Sequence, residues 1–299
     1  MLLRLALALG VVVAVAGCAT EVPRSSRGTL EVVAAENTWG SLASQLAGSY
    51  AHVASIISSP DADPHAYEPT AADARALATA DLTVLNGVGY DTWASKVLKA
   101  NPSPRRTDLD VGRVVGVGPK GNPHRWYAPE DVRKVVDAIT AALTSLAPSH
   151  RAELARLHDE VLTVGLREYF GEVAGIRKAY AGTPVGASES VFSPLAQGLG
   201  LDLVTPESFL DAVSEGTDPT AQDKTTVDAQ IARRTINVYV YNTQNATPDV
   251  QAQVAAARRE GIPVVGVTET LTPAGSTFQQ WQVRQLRALQ DALAKGTGR

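Results

Sequence analysis

The feature that most limits the possible folds is an alternation of short apolar runs with segments of helical spacing, which starts at residue 29. Runs such as residues 30–35 and 82–86 are short and rich in Leu and Val, as buried strands are. Each is followed by a longer stretch in which apolar residues recur with helical spacing. Strands that alternate with helices are typical of parallel βαβ units. The sequence therefore predicts an α/β fold built on central parallel sheets.

The alternation occurs in two segments of similar size, which predicts two domains. We assign residues 29–148 to an N-terminal βα domain and residues 182–299 to a C-terminal one. The segment between them, residues 149–181, has helical spacing, and a helix of some 30 residues would be about 45 Å long at 1.5 Å per residue. That is longer than an ordinary crossover helix. We therefore predict a long rigid interdomain helix that joins the domains, with Ser149 as its N-cap.

Two further segments give weaker patterns. Residues 108–115 are predicted as a strand that precedes a glycine-rich turn. Residues 209–223 are rich in polar residues and are predicted as a loop.

The first residues are typical of a bacterial secretion signal. A positive charge at Arg4 precedes an apolar run over residues 5–16, which is too short to span a bilayer comfortably. The run ends at a sequence that resembles the lipobox, in which Cys18 is lipidated and becomes the new N-terminus. We predict a lipoprotein signal peptide over residues 1–17 and a lipidated tether over residues 18–28, so that the mature protein is extracytoplasmic and membrane-anchored. A plain signal peptide with a chance cysteine is the alternative.

Composition and charge exclude several classes of protein. An apolar fraction of 44% and a charged fraction of 19% are those of a globular protein. A net charge of −4 shows no basic surplus, so we expect no nucleic-acid partner. Cys18 is the only cysteine, which leaves no internal disulfide and no thiolate ligand elsewhere in the chain.

Two histidines share an unusual setting. Asp63-Pro64-His65 and Asn122-Pro123-His124 both place a histidine directly after a proline, with an aromatic residue and a second proline behind it. Proline fixes φ and biases the preceding residue toward an extended conformation, so both loops are stiff. One such histidine alone would be interpreted as a surface residue, but two in matching settings make a metal site as good an interpretation as a surface role.

Carboxylates follow predicted strands in the second domain. Glu189 and Glu269 each come just after a strand, as His65 and His124 do in the first domain. Ligands of open parallel sheets gather outside the carboxyl ends of the strands, so a cleft between the domains could collect all four side chains. Two imidazoles and two carboxylates suit a divalent ion such as Zn²⁺, Mn²⁺ or Fe²⁺. Taken singly, a glutamate after a strand also fits the first turn of a helix.

The chain resembles the metal-binding (zinc/manganese, cluster A-I) solute-binding lipoproteins of bacterial ABC transporters over nearly its whole mature length. The matching motifs are Ala35-Glu36-Asn37, Asp63-Pro64-His65 with Glu68-Pro69, Asn86-Gly87, Asn122-Pro123-His124-Arg125-Trp126, and Ala187-Ser188-Glu189-Ser190 with Gly198-Leu199-Gly200. The resemblance implies that His65 and His124 are the histidine ligands of the N-terminal domain. It places Glu189 where zinc receptors carry a histidine and manganese receptors a glutamate, and Glu269 near the C-terminal carboxylate ligand.

The sequence departs from this family in one respect. Many zinc receptors carry a mobile loop rich in histidine and acidic residues in the N-terminal domain, and none stands between Glu68 and His124. The ligand set suits Mn²⁺ better than three histidines would, yet Zn²⁺ binds more tightly than Mn²⁺ at almost any N/O site. The sequence therefore leaves open whether the bound metal is Zn²⁺ or Mn²⁺. Asp63 and Glu68 are candidate hydrogen-bond partners of the imidazoles.

The resemblance implies a monomeric receptor that binds a divalent metal ion and delivers it to the permease subunit of an ABC transporter, with small domain movements only. Binding should weaken at low pH because the ligands must be deprotonated. We do not expect an enzyme: a metal-dependent hydrolase needs an open coordination position and a general base, and the His-Glu-x-x-His helix is absent from the sequence. A metal-binding surface adhesin, which the same family includes, is the other alternative.

Overall fold

The computed structural model describes residues 29–59 and 67–299. In the N-terminal half of this part, four parallel strands form a sheet in the order β2-β1-β3-β4. The strands are β1 (Leu30–Glu36), β2 (Ala51–Ile57), β3 (Leu82–Leu85) and β4 (Thr107–Asp110). The helices are α1 (Asn37–Ala47), α2 (Ala71–Thr79), α3 (Thr92–Ala100), α4 (Val111–Val115) and α5 (Pro129–Leu146).

A long helical segment follows this half. It consists of α6 (Arg151–Glu160), one π-helical turn (Val161–Gly165) and α7 (Arg167–Tyr180). A short 3-10 turn over Pro148–His150 precedes it, and the cap residue is His150. The prediction that Ser149 caps the helix is therefore wrong, because the proline-led turn places Ser149 one residue too early.

The C-terminal half repeats the topology of the first. Its four parallel strands have the order β6-β5-β7-β8, which is the same order as in the first sheet. The strands are β5 (Pro184–Ala187), β6 (Asp202–Leu203), β7 (Tyr239–Asn242) and β8 (Val264–Val267). The helices are α8 (Ser193–Leu199), α9 (Glu207–Ser214), α10 (Ala221–Ala232), α11 (Pro248–Arg259) and α12 (Phe278–Thr297). The predicted fold class, two βα domains with parallel sheets, is confirmed.

The two halves are packed together through large buried side chains. Trp39 on α1 stacks on Phe278 of α12 with ring centroids 6.5 Å apart, and Tyr127 contacts Trp281 at 5.5 Å. All four rings belong to one buried apolar cluster that extends from the first half into the second. Burying a side chain of this size contributes about 1.5–3 kcal/mol. The closing helix α12 therefore holds the two halves together.

Two local predictions are wrong. The segment predicted as a polar loop over residues 209–223 contains the end of α9 and the start of α10, because Phe209, Leu210 and Val213 bury one face of a helix. The segment predicted as a strand over residues 108–115 changes to helix after Asp110. The Asp110 side chain accepts a hydrogen bond from the Arg113 amide at 2.9 Å and so caps α4.

No helix within residues 29–59 and 67–299 is both long enough and apolar enough to cross a membrane.

The strand order fixes where a ligand can bind. In each sheet the connections reverse direction between the first strand and the third, that is, between β1 and β3 and between β5 and β7. The crevice outside the carboxyl ends at such a reversal is the usual binding position in an open parallel sheet. We therefore expect a ligand site among the polar residues at these strand ends.

Candidate metal centre

His124 is the histidine that the structure describes at this edge. It follows Pro123, is fully buried and lies between the rings of Tyr90 and Trp126, with centroid separations of 6.0 and 5.5 Å. Both aromatic rings pack edge-on against the imidazole. The stiff loop and the two rings hold the imidazole in one orientation.

Asn122 determines which nitrogen of His124 carries the proton. The Asn122 amide group donates to the Ser190 carbonyl at 2.7 Å, and its oxygen accepts from the His124 backbone amide at 2.9 Å. That oxygen also lies 3.0 Å from Nδ1 of His124, so Nδ1 is the protonated nitrogen. The other nitrogen, Nε2, is the one that can bind a metal ion.

Glu269 lies directly opposite His124. It stands two residues after β8, is 2% exposed, and places Oε2 at 3.4 Å from Nε2 of His124. Tyr90 donates a hydrogen bond to the same oxygen at 2.7 Å. An imidazole nitrogen and a carboxylate oxygen are both electron-pair donors, so at this separation they need a shared cation, either a proton or a metal ion.

Glu189 is linked to Glu269 through one amide group. Asn242, the last residue of β7, is fully buried and its Nδ2 donates to Oε1 of Glu189 at 2.5 Å and to Oε1 of Glu269 at 2.7 Å. Asn245 donates to the second oxygen of Glu189 at 2.7 Å. Glu189, at the end of the loop after β5, is 1% exposed. The two carboxylates therefore share one buried polar cluster.

The loop that carries Glu269 is fixed by side chains from three other elements. Gln244 accepts from the Glu269 amide at 2.5 Å and donates to the Thr270 hydroxyl at 2.8 Å. The Thr268 hydroxyl accepts from the Trp281 indole at 2.8 Å, and the Thr268 carbonyl accepts from the Tyr127 hydroxyl at 2.7 Å. These contacts hold the carboxylate toward the first half of the molecule.

Two acidic groups lie behind the site in the first half. Glu36, at the end of β1, is fully buried, and neither oxygen of its carboxyl group has a hydrogen-bond partner among the residues that the structure describes. Burial, with a smaller contribution from the nearby charge of Asp91, raises the pKa of Glu36 well above its usual range. Asp91 accepts from the amides of Asn86 and Gly87 at 2.7 and 2.9 Å, and burial raises its pKa to about 6. Burial therefore favours the protonated form of Glu36.

The structure describes some of the site residues predicted from the sequence and not others. His65, Asp63 and Cys18 lie outside the described residues. His124 and Glu269 lie together, and Glu189 joins them through Asn242. Within the described ranges, no group of three or more His, Cys, Asp or Glu side chains is arranged to hold a metal ion. The assignment of the four ligands stays a prediction.

The hydrogen-bond partner of His124 differs from the carboxylates that were predicted. The amide oxygen of Asn122 takes that place, while the side chain of Glu68 is exposed to solvent. Sequence reasoning also missed Tyr90, Asn242 and Asn245. Each lies at or just beyond the carboxyl end of a strand in this topology, where polar residues collect, but amides and phenols at such positions are too common in sequences to be assigned a role.

A protein-family model described as "ZnuA: Zinc-uptake complex component A periplasmic" matches residues 32–292. Among curated proteins, the chain is 27% identical over 200 residues to the iron-binding protein YfeA of Yersinia pestis, which covers 63% of this chain and 62% of that protein. It is 25% identical over 195 residues to the manganese-binding lipoprotein MntA of Halalkalibacterium halodurans, which covers 54% of this chain and 63% of that one. The alignments thus span less than two thirds of these relatives.

Solved structures share the fold. The periplasmic zinc-binding protein TroA of Treponema pallidum superposes with a TM-score of 0.73 at 19% sequence identity, over 89% of this chain and 99% of that one.

Proposed function

The chain belongs to the ZnuA family of periplasmic zinc-uptake components, and on that premise we propose that it captures a divalent metal ion, zinc or manganese, and delivers it to an ABC permease. The resemblance seen in the sequence is confirmed by the match over residues 32–292. One observation carries the proposal: Nε2 of His124 and Oε2 of Glu269 approach to 3.4 Å in a buried position between the two halves.

The donor atoms at the site suit a cation as its ligand. Asn242, Asn245 and Tyr90 donate hydrogen bonds that orient the two carboxylates. Carboxylate oxygens and an imidazole nitrogen are ligands that Zn²⁺ and Mn²⁺ accept.

The proposed ligands are His65, His124, Glu189 and Glu269. Imidazole nitrogens from the first half and carboxylate oxygens from the second would make a mixed site for Zn²⁺ or Mn²⁺, and for Fe²⁺ by the same ligand chemistry. Asn122 would orient His124, as the outer hydrogen-bond partner of a metal-binding histidine does.

The proposed domain organisation and location follow the sequence. Residues 1–17 would be removed as a signal peptide, residues 18–28 would form a tether lipidated at Cys18, and the two metal-binding domains with the helix between them would stand outside the membrane as a monomer. Mass spectrometry of the protein from membranes would show a diacylglyceryl mass on a peptide that starts at Cys18. An unmodified N-terminal peptide there would contradict the anchor.

A hydrolase is the weaker alternative. Hydrolysis needs a metal-bound water beside a general base. The imidazole of His124 faces the carboxylate of Glu269, and burial raises the pKa of Glu36, the acid at the same sheet edge, which favours its protonated form over a base.

The test is metal analysis and calorimetric titration of the full chain with Zn²⁺ and Mn²⁺. We expect one ion per chain, and strongly reduced binding for His65→Ala, His124→Ala and Glu269→Gln. His52→Ala and Glu260→Gln are matched controls, because both side chains lie on the surface. Tight binding that survives all three site variants would rule out this site.

A further inference from the structure

The loop that carries Glu269 has successive backbone amides bound from different halves of the molecule. Gln244, in the second half, accepts from the backbone amides of Glu269 and Thr270 at 2.5 and 3.3 Å. The amide of Leu271, the next residue, is instead bound by a side chain of the first half. The loop is therefore attached to both halves within three residues.

The acceptor for Leu271 is Asn37, the first residue of α1. Its Oδ1 accepts from the Leu271 amide at 3.2 Å, and its Nδ2 donates to the Ser58 carbonyl at 3.2 Å. An N–H on one side and a carbonyl on the other fix the orientation of the Asn37 amide group. The side chain is buried. It therefore connects Leu271, two residues after Glu269, to Ser58, the residue that follows β2.

Two other residues of α1 contact the second half from the same face of the helix. Ser41 and Gln45 stand four and eight residues after Asn37, so the three side chains lie along one face. The Ser41 hydroxyl oxygen accepts from the Phe278 amide at 2.9 Å, and Gln45 and Gln279 exchange amide hydrogen bonds at 3.2 and 2.7 Å. These contacts end on α12, whereas that of Asn37 reaches the carboxylate loop itself.

We propose that Asn37 is a positioning residue of the metal site, which holds the loop of Glu269 against the first half and so slows the release of a bound ion. This inference rests on the proposed function. Oε2 of Glu269 lies 3.4 Å from Nε2 of His124, and that separation joins one half to the other. A loop that is freed at Leu271 can carry the carboxylate away from the imidazole more easily. Ligands need such support from outside the site to keep their geometry.

Hydrogen exchange of the metal-free, full-length protein tests the contact directly. In Asn37→Ala the Leu271 amide loses its acceptor, and its exchange should become about 3- to 10-fold faster, the size of one hydrogen bond. Gln45→Ala is the matched control, since it removes contacts between the same two halves on the same helix face. Exchange over residues 268–271 should be unchanged in that variant.

Release of Zn²⁺ tests the consequence. When Zn²⁺-loaded protein is mixed with an excess of chelator, we expect release to be about tenfold faster in Asn37→Ala and unchanged in Gln45→Ala. Asn37→Asp keeps an oxygen acceptor for Leu271 and loses the donor to Ser58, so both exchange and release should stay close to wild type. A merely structural role would lower the stability of both alanine variants without changing release.

A second variant covers the case in which circular dichroism shows that Asn37→Ala does not fold. Asn37→Ser keeps a polar atom at this buried position, but its side chain is one bond shorter and cannot bind Leu271 and Ser58 together. The same faster exchange and release are expected from it.

The outcomes separate this inference from the proposed function. Unchanged exchange at Leu271, or unchanged Zn²⁺ release, in the folded variant at position 37 would overturn this inference and leave metal capture standing. Equal acceleration in Gln45→Ala would also overturn it, because the effect would then belong to the whole interface. A wild-type chain that binds neither Zn²⁺ nor Mn²⁺ would overturn the proposed function and the role in release with it, whatever the exchange at Leu271.

Discussion

The two halves of the molecule have the same strand order but place opposite chemistry at the same edge. The first half presents the imidazole of His124, with the buried carboxyl group of Glu36, whose pKa is raised by burial, behind it. The second half presents the carboxylates Glu189 and Glu269, held by neutral amides. Topology thus decides where a site can form, while the residues after each strand decide what it binds. The second half contributes carboxylates, and the first contributes an imidazole.

The largest expected effect comes from removing charge from the second half. In Glu269→Gln the metal affinity should fall by at least about 100-fold, the upper range seen for groups outside a ligand set. His124→Ala should lower the affinity as well, because it removes the nitrogen that faces Glu269. Titration with Zn²⁺ and Mn²⁺ measures both variants, and a Glu269→Gln protein that binds metal as tightly as wild type would break the comparison.

The next effect concerns the buried acids of the first half. The pKa of Asp91 is raised from 3.8 to about 6 in the folded chain. Its favourable contribution is therefore complete below pH 3.8 and is lost as the pH rises through about 6. Compared with Asp91→Asn, the wild type should lose on the order of 3 kcal/mol of stability across that range.

Urea unfolding of the two metal-free proteins at a series of pH values measures this difference. The slope with pH is decisive, because any constant offset caused by the substitution cancels. Parallel curves for wild type and Asp91→Asn would show that the carboxyl group is ionised in the folded chain without cost.

A substitution at Asn122 tests how the imidazole of His124 is oriented. Asn122→Ala removes the acceptor for Nδ1 of His124 and the contact to the Ser190 carbonyl in the other half. We expect the metal affinity to fall about 10- to 100-fold, as when other partners of ligating histidines are removed. Asn237→Ala removes an amide with a backbone partner away from the site and is the control. Equal affinities would mean that the aromatic rings alone orient the imidazole.

The smallest expected effect concerns two helix N-caps of the same kind. Thr70 and Thr277 both form capping boxes, at the start of α2 and of α12. Replacing either by alanine should cost about 1 kcal/mol of stability. Thr70 stands five residues after His65, so Thr70→Ala should also weaken metal binding, whereas Thr277→Ala should not. Chemical unfolding and metal titration of both variants check this. Identical metal affinities would show that the cap at Thr70 does not affect metal binding.

Much of the fold could be predicted from local pattern. Strands such as β1 and β3 lie in the short runs rich in Leu and Val that the sequence predicts as strands. The wrong predictions concern segments in which a few buried apolar residues stand among polar ones. In α9, Phe209, Leu210 and Val213 are buried but stand among acidic and small residues. Asp110 was also not recognised from local pattern, because it is the last residue of β4 and its side chain caps α4.

For the site, the sequence by itself determined which polar side chains stand at the strand ends. His124, Glu189 and Glu269 were found because proline-bounded histidines and acids after strands are local features. Only the tertiary structure decided how they meet. Asn242 joins two glutamates that are 80 residues apart in the chain, and Tyr90 reaches Glu269 across 179 positions. The physical reason is that hydrogen bonds depend on distances of about 3 Å, and the packing of two separate sheets, not the order of residues along either one, sets those distances.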